Sequence, residues 1–599
     1  MDRRTFLAVL LSVTVFSVWS ALFGPEPPTP EEAAALAEAA EQGETAPAPA
    51  PEAVEPAPAP VPELPEVTEQ EVMLSMCGGT GTLSSFDGLS GMSLAAYEGP
   101  YEVMPFYSWL WGTVTGSVSG GWHPYGASEP GPAEVLTPEA RALTVGTGSS
   151  PTDGDSARMA IVERTDDAVV LRGMTATGIE VTQEIYEGLY DWEAEKPVLH
   201  RKGTDAYRRL EDSGNGVCLI GMNVSWRNRS SVPVDQGLWL GIYEVANQSG
   251  SGMTARYNSQ RQPTAVTDDD LSYGGPNGAG CVTAGTRLED EKTEFPLEGP
   301  VSWFGISDRY FGFYVLPDEP SAGSAFLSRI GQGEEALDGT HWAVTTRLDA
   351  GETRTESFRI YAGPNDLDAL GRVDESLQDV VDLGWFEFFG YPLLIMLRFF
   401  YSAVGNWGIS IVMLTLVVKA LFFPMTQSSF KSMQKMQRIQ PMLNELREKH
   451  SDNPQELNQK TIALMQEHGV NPAAGCLPMF VQMPVWIALY NVLLTSVDLY
   501  HTEFLYLRDL TQPDPYLVLP ITIMALMFIQ QRFSTPSNVS PEQQQIMRFM
   551  PLFFGLLFFA FPSGLAVYVF VNILLSNLQQ WWIKRNLDTA DPPAAAAAT

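Results

Sequence analysis

Apolar residues run along this chain in three different rhythms. Residues 5–23, TFLAVLLSVTVFSVWSALF, form an uncharged run of about bilayer-crossing length, preceded by Arg3 and Arg4. The basic flank predicts an anchor with a cytoplasmic N-terminus. Arg3 to Leu7 also loosely follows the pattern of a cleaved twin-arginine signal. The run is longer than a usual signal core and no compact small-residue site follows directly, so a retained anchor is the preferred reading. Residues 24–66 hold Pro, Ala and Glu with almost nothing apolar to bury, and are expected to be an extended linker.

Residues 67–383 follow a period of two. Short β-prone runs are broken by Gly, Pro, Asn and Asp, as in 168–186, which reads as two strands around Thr175 to Gly178. Residues 341–361 read as a hairpin turning at Asp349 to Glu352, with Phe358 and Ile360 on one face and Ser357 and Arg359 on the other. Many such units without intervening helices predict a large all-β sandwich.

The third part is nearly continuous in Leu, Ile, Val, Phe and Met. Residues 385–424 are apolar for about twice the length of one crossing and are divided at Gly405 to Gly408. If both halves crossed, the loop that follows, with Lys431, Lys435, Arg438, Arg447, Lys449 and Lys460, would lie on the outer side, against the positive-inside tendency. Residues 384–404 are therefore expected to form an amphipathic helix in the outer interface. A five-span core is expected over 405–585, with crossings near 406–424, 476–497, 516–533, 543–561 and 563–583. With the anchor this makes six crossings, both termini inside, the β domain outside, and a disordered tail at 586–599.

The loop 425–470 reads as a cytoplasmic helical hairpin. Asn453, Pro454 and Glu456 suit an N-cap, first position and capping residue, and Gly469 a helix end. Met433, Met436, Met442 and Met465 give it a soft apolar surface that could contact clients or simply join the two helices.

Composition narrows the chemistry. The net charge of −35 comes mainly from the soluble part and argues against direct nucleic-acid readout. The four cysteines form no CxxC pair; three of them, Cys77, Cys218 and Cys281, fall in the soluble part, so at most one bridge can form there. No phosphate-binding loop, GxSxG elbow or HExxH pair is present, so neither a cofactor, a metal nor an enzymatic activity is expected.

One charge stands out. Lys419 lies in NWGISIVMLTLVVKALFFP, roughly 7.5 Å at helical rise from Pro424, where the span is expected to end. A charge within the bilayer is costly and usually faces water or a partner. Thr415 lies one turn earlier on the same face, Gln482 lies in the third span, and Tyr568, Asn572, Ser576 and Gln579 form a polar stripe along the last. Either the stripe joins helices while Lys419 snorkels to the cytoplasmic surface, or these groups line a hydrated groove whose cation attracts acidic segments.

These residues resemble the YidC-type membrane protein insertases (YidC/Oxa/Alb superfamily), in the Gram-negative form with a large periplasmic domain. The likeness is carried by NWGISIVMLTLVVKALFFPMT, NPAAGCLPMFVQMPVWIALYNVLL, DPYLVLPI and FPSGLAVY, and runs over 385–585. The resemblance implies a monomeric insertase and folding chaperone of the inner membrane, taking nascent membrane proteins into the lipid bilayer alone or with the Sec translocon. It implies a groove open to cytoplasm and lipid, a periplasmic β-supersandwich, and clients sliding along the third and fifth spans. Lys419 stands where the family usually has arginine, keeping the charge without the planar fork. Tyr568 matches the first of two tyrosines found in some members; the second position is Val569. The basic tail that some members offer the ribosome is missing after Lys584 and Arg585, which leaves the hairpin as a ribosome contact. A small-solute transporter with a sugar-handling β domain is the alternative; the spans lack the internal repeat common in that class. A purely structural scaffold would leave Lys419 unexplained.

Overall fold

A computed structural model describes residues 69–85, 88–98, 132–148, 155–165, 167–194, 196–245, 262–267, 270–275, 286–287, 294–319, 323–330, 336–381, 383, 386–449, 454–468, 477–534 and 541–590. The expected anchor and linker, Asn453, Gly469, the 471–476 motif and the expected tail from 591 onward lie outside them; residues 586–590, expected to begin a disordered tail, instead continue the last helix, Ser563–Ala590.

Among the described residues, two largely antiparallel sheets stack face to face. One has ten strands and leads from Glu71–Met76 and Gly79–Ser84 across Val234–Val245 to Leu337–Leu348 and Ser324–Ile330. The other has eleven and runs through Phe311–Pro317, Thr353–Pro364, Val217–Asn228 and Ile179–Asp191. Period-two alternation sends Met222, Val224 and Trp226 from the second sheet and Leu238, Leu240 and Ile242 from the first into one apolar core. The pair around Thr175 to Gly178 forms as expected, with Met174 opposite Glu180.

The expected hairpin at 341–361 does not form. Both strands and the turn are present, and Phe358 and Ile360 are buried, but Leu337–Leu348 pairs within the first sheet and Thr353–Pro364 within the second. The turn is an arch between layers. Asn228 holds it: its Nδ2 donates to the carbonyls of Leu348 and Val232, and its backbone exchanges hydrogen bonds with Gly351 and Glu352. Alternation records which residues are buried, not which sheet they join.

A helix also interrupts the β pattern: α1, Asp205–Ser213, is capped by the Thr204 hydroxyl and closed by Gly214 in the left-handed region. Cys77 and Cys218 are joined by a disulfide across a sequence separation of 141.

His341 is fully buried, stacked 4.8 Å from Phe326, with Nδ1 3.1 Å from the Ser328 hydroxyl and Nε2 3.2 Å from Glu294 Oε1. Burial pushes its pKa below the ordinary histidine value, opposed by Glu294. The unfolded chain therefore takes up a proton near pH 6.5 that the folded domain refuses, and stability falls as pH drops below that value. We expect a loss of up to about 1.4 kcal/mol per pH unit from this group. Denaturant midpoints at pH 7 and pH 5 should converge in His341→Gln relative to wild type; equal acid sensitivity would remove the assignment.

Beyond the sandwich come α2 (Leu367–Val373), α3 (Glu387–Val404), α4 (Trp407–Lys449), α5 (Pro454–Glu467), α6 (Leu477–Thr495), α7 (Val518–Ser534), α8 (Pro541–Leu557) and α9 (Ser563–Ala590). Gly405, at φ 66°, ends α3, and Asn406 Oδ1 accepts from the Ile409 amide to start α4. The stretches Glu387–Val404 and Trp407–Ser432 are long and apolar enough to cross a membrane. Only 22% and 33% of their apolar windows are buried, unlike the core helices of a soluble protein.

The helix does not end at Pro424. It continues through Pro424 and Pro441 to Lys449, so one helix forms both the apolar span and the first arm of the hairpin. Pro424 has no amide hydrogen to give the Ala420 carbonyl, a break the surrounding turns tolerate. Ile439 and Leu443 pack with Met436, Leu464 and Met465 to close the hairpin.

Candidate functional site

The polar stripe is built by α4 and α9, which lie side by side in the apolar bundle. Lys419 Nζ donates to Ser576 Oγ at 2.7 Å, and that hydroxyl donates in turn to the Asn572 carbonyl at 2.8 Å. The ammonium is half-buried and held toward α9. Gln579 Nε2 lies 3.4 Å from the Phe423 carbonyl, one turn below.

The part of the stripe formed by Thr415 and Tyr568 is enclosed. Thr415 is fully buried and its hydroxyl donates to the Ile411 carbonyl of its own helix at 2.6 Å. Tyr568 is fully buried among Ile411, Leu414 and Leu565; half-buried Gln482 stands beside it, but its hydroxyl has no aligned hydrogen-bond partner among the described residues. Thus Lys419, Asn572 and Ser576 are brought together in one place, while Thr415 and Tyr568 sit in packed surroundings above them.

Two residues that the stripe omitted matter as much. Asn577 and Gln580 are buried, and both amide atoms of Gln580, with Oδ1 of Asn577, find no partner among the described residues. Asn577 Nδ2 donates to the Leu526 carbonyl of α7 at 3.1 Å. A buried amide without a partner costs about 1–3 kcal/mol, so such groups mark places where water or a polar guest supplies the bonds. The signal was present: Ser576, Asn577, Gln579 and Gln580 make the foot of the helix polar on several faces, whereas a one-face count finds only Ser576 and Gln579.

In the hairpin, Met436 and Met465 face the partner helix, whereas Met442 is exposed; the Met433 side chain is outside what is described. Among the described residues no group of His, Cys, Asp or Glu is placed to hold a metal ion.

Residues 399–590 match the family model described as the 60Kd inner membrane protein, and residues 242–396 the one described as the YidC periplasmic domain. A membrane protein insertase YidC of Geotalea daltonii is 38% identical over 362 residues, covering 59% of this chain and 67% of that protein. The chain belongs to the YidC family of membrane protein insertases. The YidC of Geobacter sulfurreducens is 40% identical over 306 residues, 51% of this chain and 57% of the relative. Three of the YidC relatives are matched over 57%, 66% and 58% of their own length, less than two thirds of each. Among solved structures, an active YidC insertase with its first transmembrane domain resolved aligns with 87% of this chain and 94% of its own, at 14% identity and a TM-score of 0.33.

Proposed function

We propose that the protein inserts and helps fold nascent inner-membrane proteins, using the inner half of the α4–α9 seam as a hydrated, cationic foothold. The observation that carries this reading is the contact of Lys419 with Ser576, one helical turn from Gln580, whose buried amide atoms find no partner among the described residues. Helix-joining glue would satisfy its own hydrogen bonds; a seam left unsatisfied offers them to something else. An acidic client segment entering from the cytoplasm meets the ammonium and these amides, which lowers the cost of leaving water. Burial of the client's apolar helix then drives release into lipid, with no nucleotide consumed. Because Thr415 and Tyr568 are enclosed, the foothold begins lower than the groove inferred from sequence and deepens only if α4 and α9 part.

In this arrangement α4 and the helices from α6 to α9 supply five crossings, and the N-terminal run makes six, with both termini cytoplasmic and the sandwich periplasmic. Helix α3 lies in the outer interface: Phe388, Phe389, Ile395 and Phe399 are exposed, whereas Arg398 turns to the sandwich. The protein works as a monomer, alone or beside the Sec translocon, and the α4–α5 hairpin reaches toward ribosome and client through surfaces such as Met442.

Gln580→Leu separates the readings. Filling the site with an apolar side chain removes an unsatisfied amide, so thermal stability should hold or rise by about 1–2 kcal/mol. Insertion into proteoliposomes should fall about threefold or more, the equivalent of losing one polar contact. Loss of stability with unchanged insertion would show Gln580 to be glue. A photocrosslinker at Asn572 should capture the polar flank of a stalled client; capture only on the lipid-facing Leu578 would move the route elsewhere.

A further inference from the structure

We infer that the β domain grips the outer end of α6 through Arg398, and that this grip positions the second core span for insertion. The inference rests on the insertase reading above. Arg398, on α3, reaches three carboxylates from two other parts of the chain. Its Nη2 meets Asp366, its Nη1 lies 2.7 Å from Asp368, and its Nε lies 2.8 Å from Asp498. Asp366 is the N-cap of α2, receiving the Asp368 and Ala369 amides, and Asp368 is in the first turn of that helix, where the sandwich ends. Asp498 lies in the turn just beyond α6. One planar guanidinium with five donors can bind three acids at once; an ammonium cannot match that fork.

The same end of α6 is held elsewhere. The Tyr310 hydroxyl, in a turn of the sandwich, donates to the Leu494 carbonyl at 3.2 Å. The rings of Tyr310 and Phe311 lie 5.1 and 5.3 Å from Tyr500. Val492 packs with Leu367, Leu383 and Leu394, and Asn491 Nδ2 donates to the Leu383 carbonyl. Every one of these contacts falls between residues 491 and 500. No comparable set holds the inner part of α6 among the described residues, whose mid-length residues meet α4 and α9 through apolar packing. Apolar faces slide more readily than charged hydrogen bonds shear, so a client parting α6 from the bundle would tilt it about this outer pivot.

The test uses full-length protein in proteoliposomes, with spin labels at Asp318 on the sandwich and Thr495 at the end of α6. Arg398→Ala should broaden the label-to-label distance distribution and slow insertion about tenfold, an ordinary intersite coupling. Client crosslinking at Asn572, on the cytoplasmic side, should be unchanged, because capture precedes the step that needs the pivot. Arg398→Lys, which keeps the charge without the fork, should recover only a minor part of the rate. Asp498→Asn and Tyr310→Phe, which leave Arg398 in place, should each give a smaller loss in the same direction and serve if the alanine variant fails to fold. An unbroadened distribution, or a broadened one with wild-type insertion, overturns the proposal. If wild-type protein inserts nothing, the insertase reading falls, while the distance measurement still decides the grip.

Discussion

Replacing Lys419 with Glu is expected to slow insertion of a client bearing an acidic translocated tail by about 30-fold, or about 2 kcal/mol. Unit charges about 8 Å apart, at the effective dielectric of about 20 that suits partly buried sites, attract by about 2 kcal/mol; losing that attraction alone accounts for the factor, and the repulsion that replaces it makes it a lower bound. The protein should still fold, because a carboxylate at this position can accept from the Ser576 hydroxyl that now accepts from the ammonium. A client with a basic tail should be affected far less, and Lys419→Arg should retain most of the rate. Comparing initial rates for the acidic and basic tails at matched protein levels isolates the charge from any general damage. Equal losses for both tails would mean that Lys419 holds α4 to α9 and nothing more.

Removing the Cys77–Cys218 bridge should lower the stability of the β domain by about 2–5 kcal/mol. The bridge closes a chain separation of 141 residues and joins the turn after the strand Glu71–Met76 in one sheet to Val217–Asn228 in the other. Loop-closure entropy grows with the length enclosed, which places this bridge toward the upper end of that range. Some of the attachment survives without it, since Glu187 accepts from the Cys77 amide and the Tyr207 hydroxyl and pairs with Lys202 at 2.8 Å. The paired substitution Cys77→Ser with Cys218→Ser should lower the calorimetric midpoint of the domain by about 5–15 °C. Reductant should reproduce that shift in wild type and add nothing in the variant, because both half-cystines border an open cavity of about 510 Å³. A midpoint indifferent to the substitution would show that the sandwich core carries the domain alone.

The helical part was read closely from its periodicity. The Gly405 break and the ends of α6 and α7 lie near their expected positions, whereas α9 runs on to Ala590, past the expected end at 583 and into the expected tail. Pro424 lies inside α4 even though proline is a strong local signal against a helix interior. The strands were legible too, but their partners were not, since Leu337–Leu348 and Thr353–Pro364 have the same alternation whether they pair or face each other across a core. The cysteines posed a similar problem: spacing admitted one bridge among three residues, and only the meeting of two sheets selected Cys77 and Cys218.

Local sequence therefore settled that the first part of the chain is mostly strand, which later segments are apolar helices, and that a cation lies within one of them. These outcomes depend on near neighbours, on alternation, on caps and on the cost of charge away from water. Tertiary structure alone decided that Lys419 meets Ser576, that Thr415 and Tyr568 are shut in, that Gln580 has no partner among the described residues, and that Arg398 gathers three acids. Each of these joins residues tens to more than a hundred positions apart, or depends on which helix faces cover one another. Such pairings are set by the global packing of faces that, taken one segment at a time, look alike.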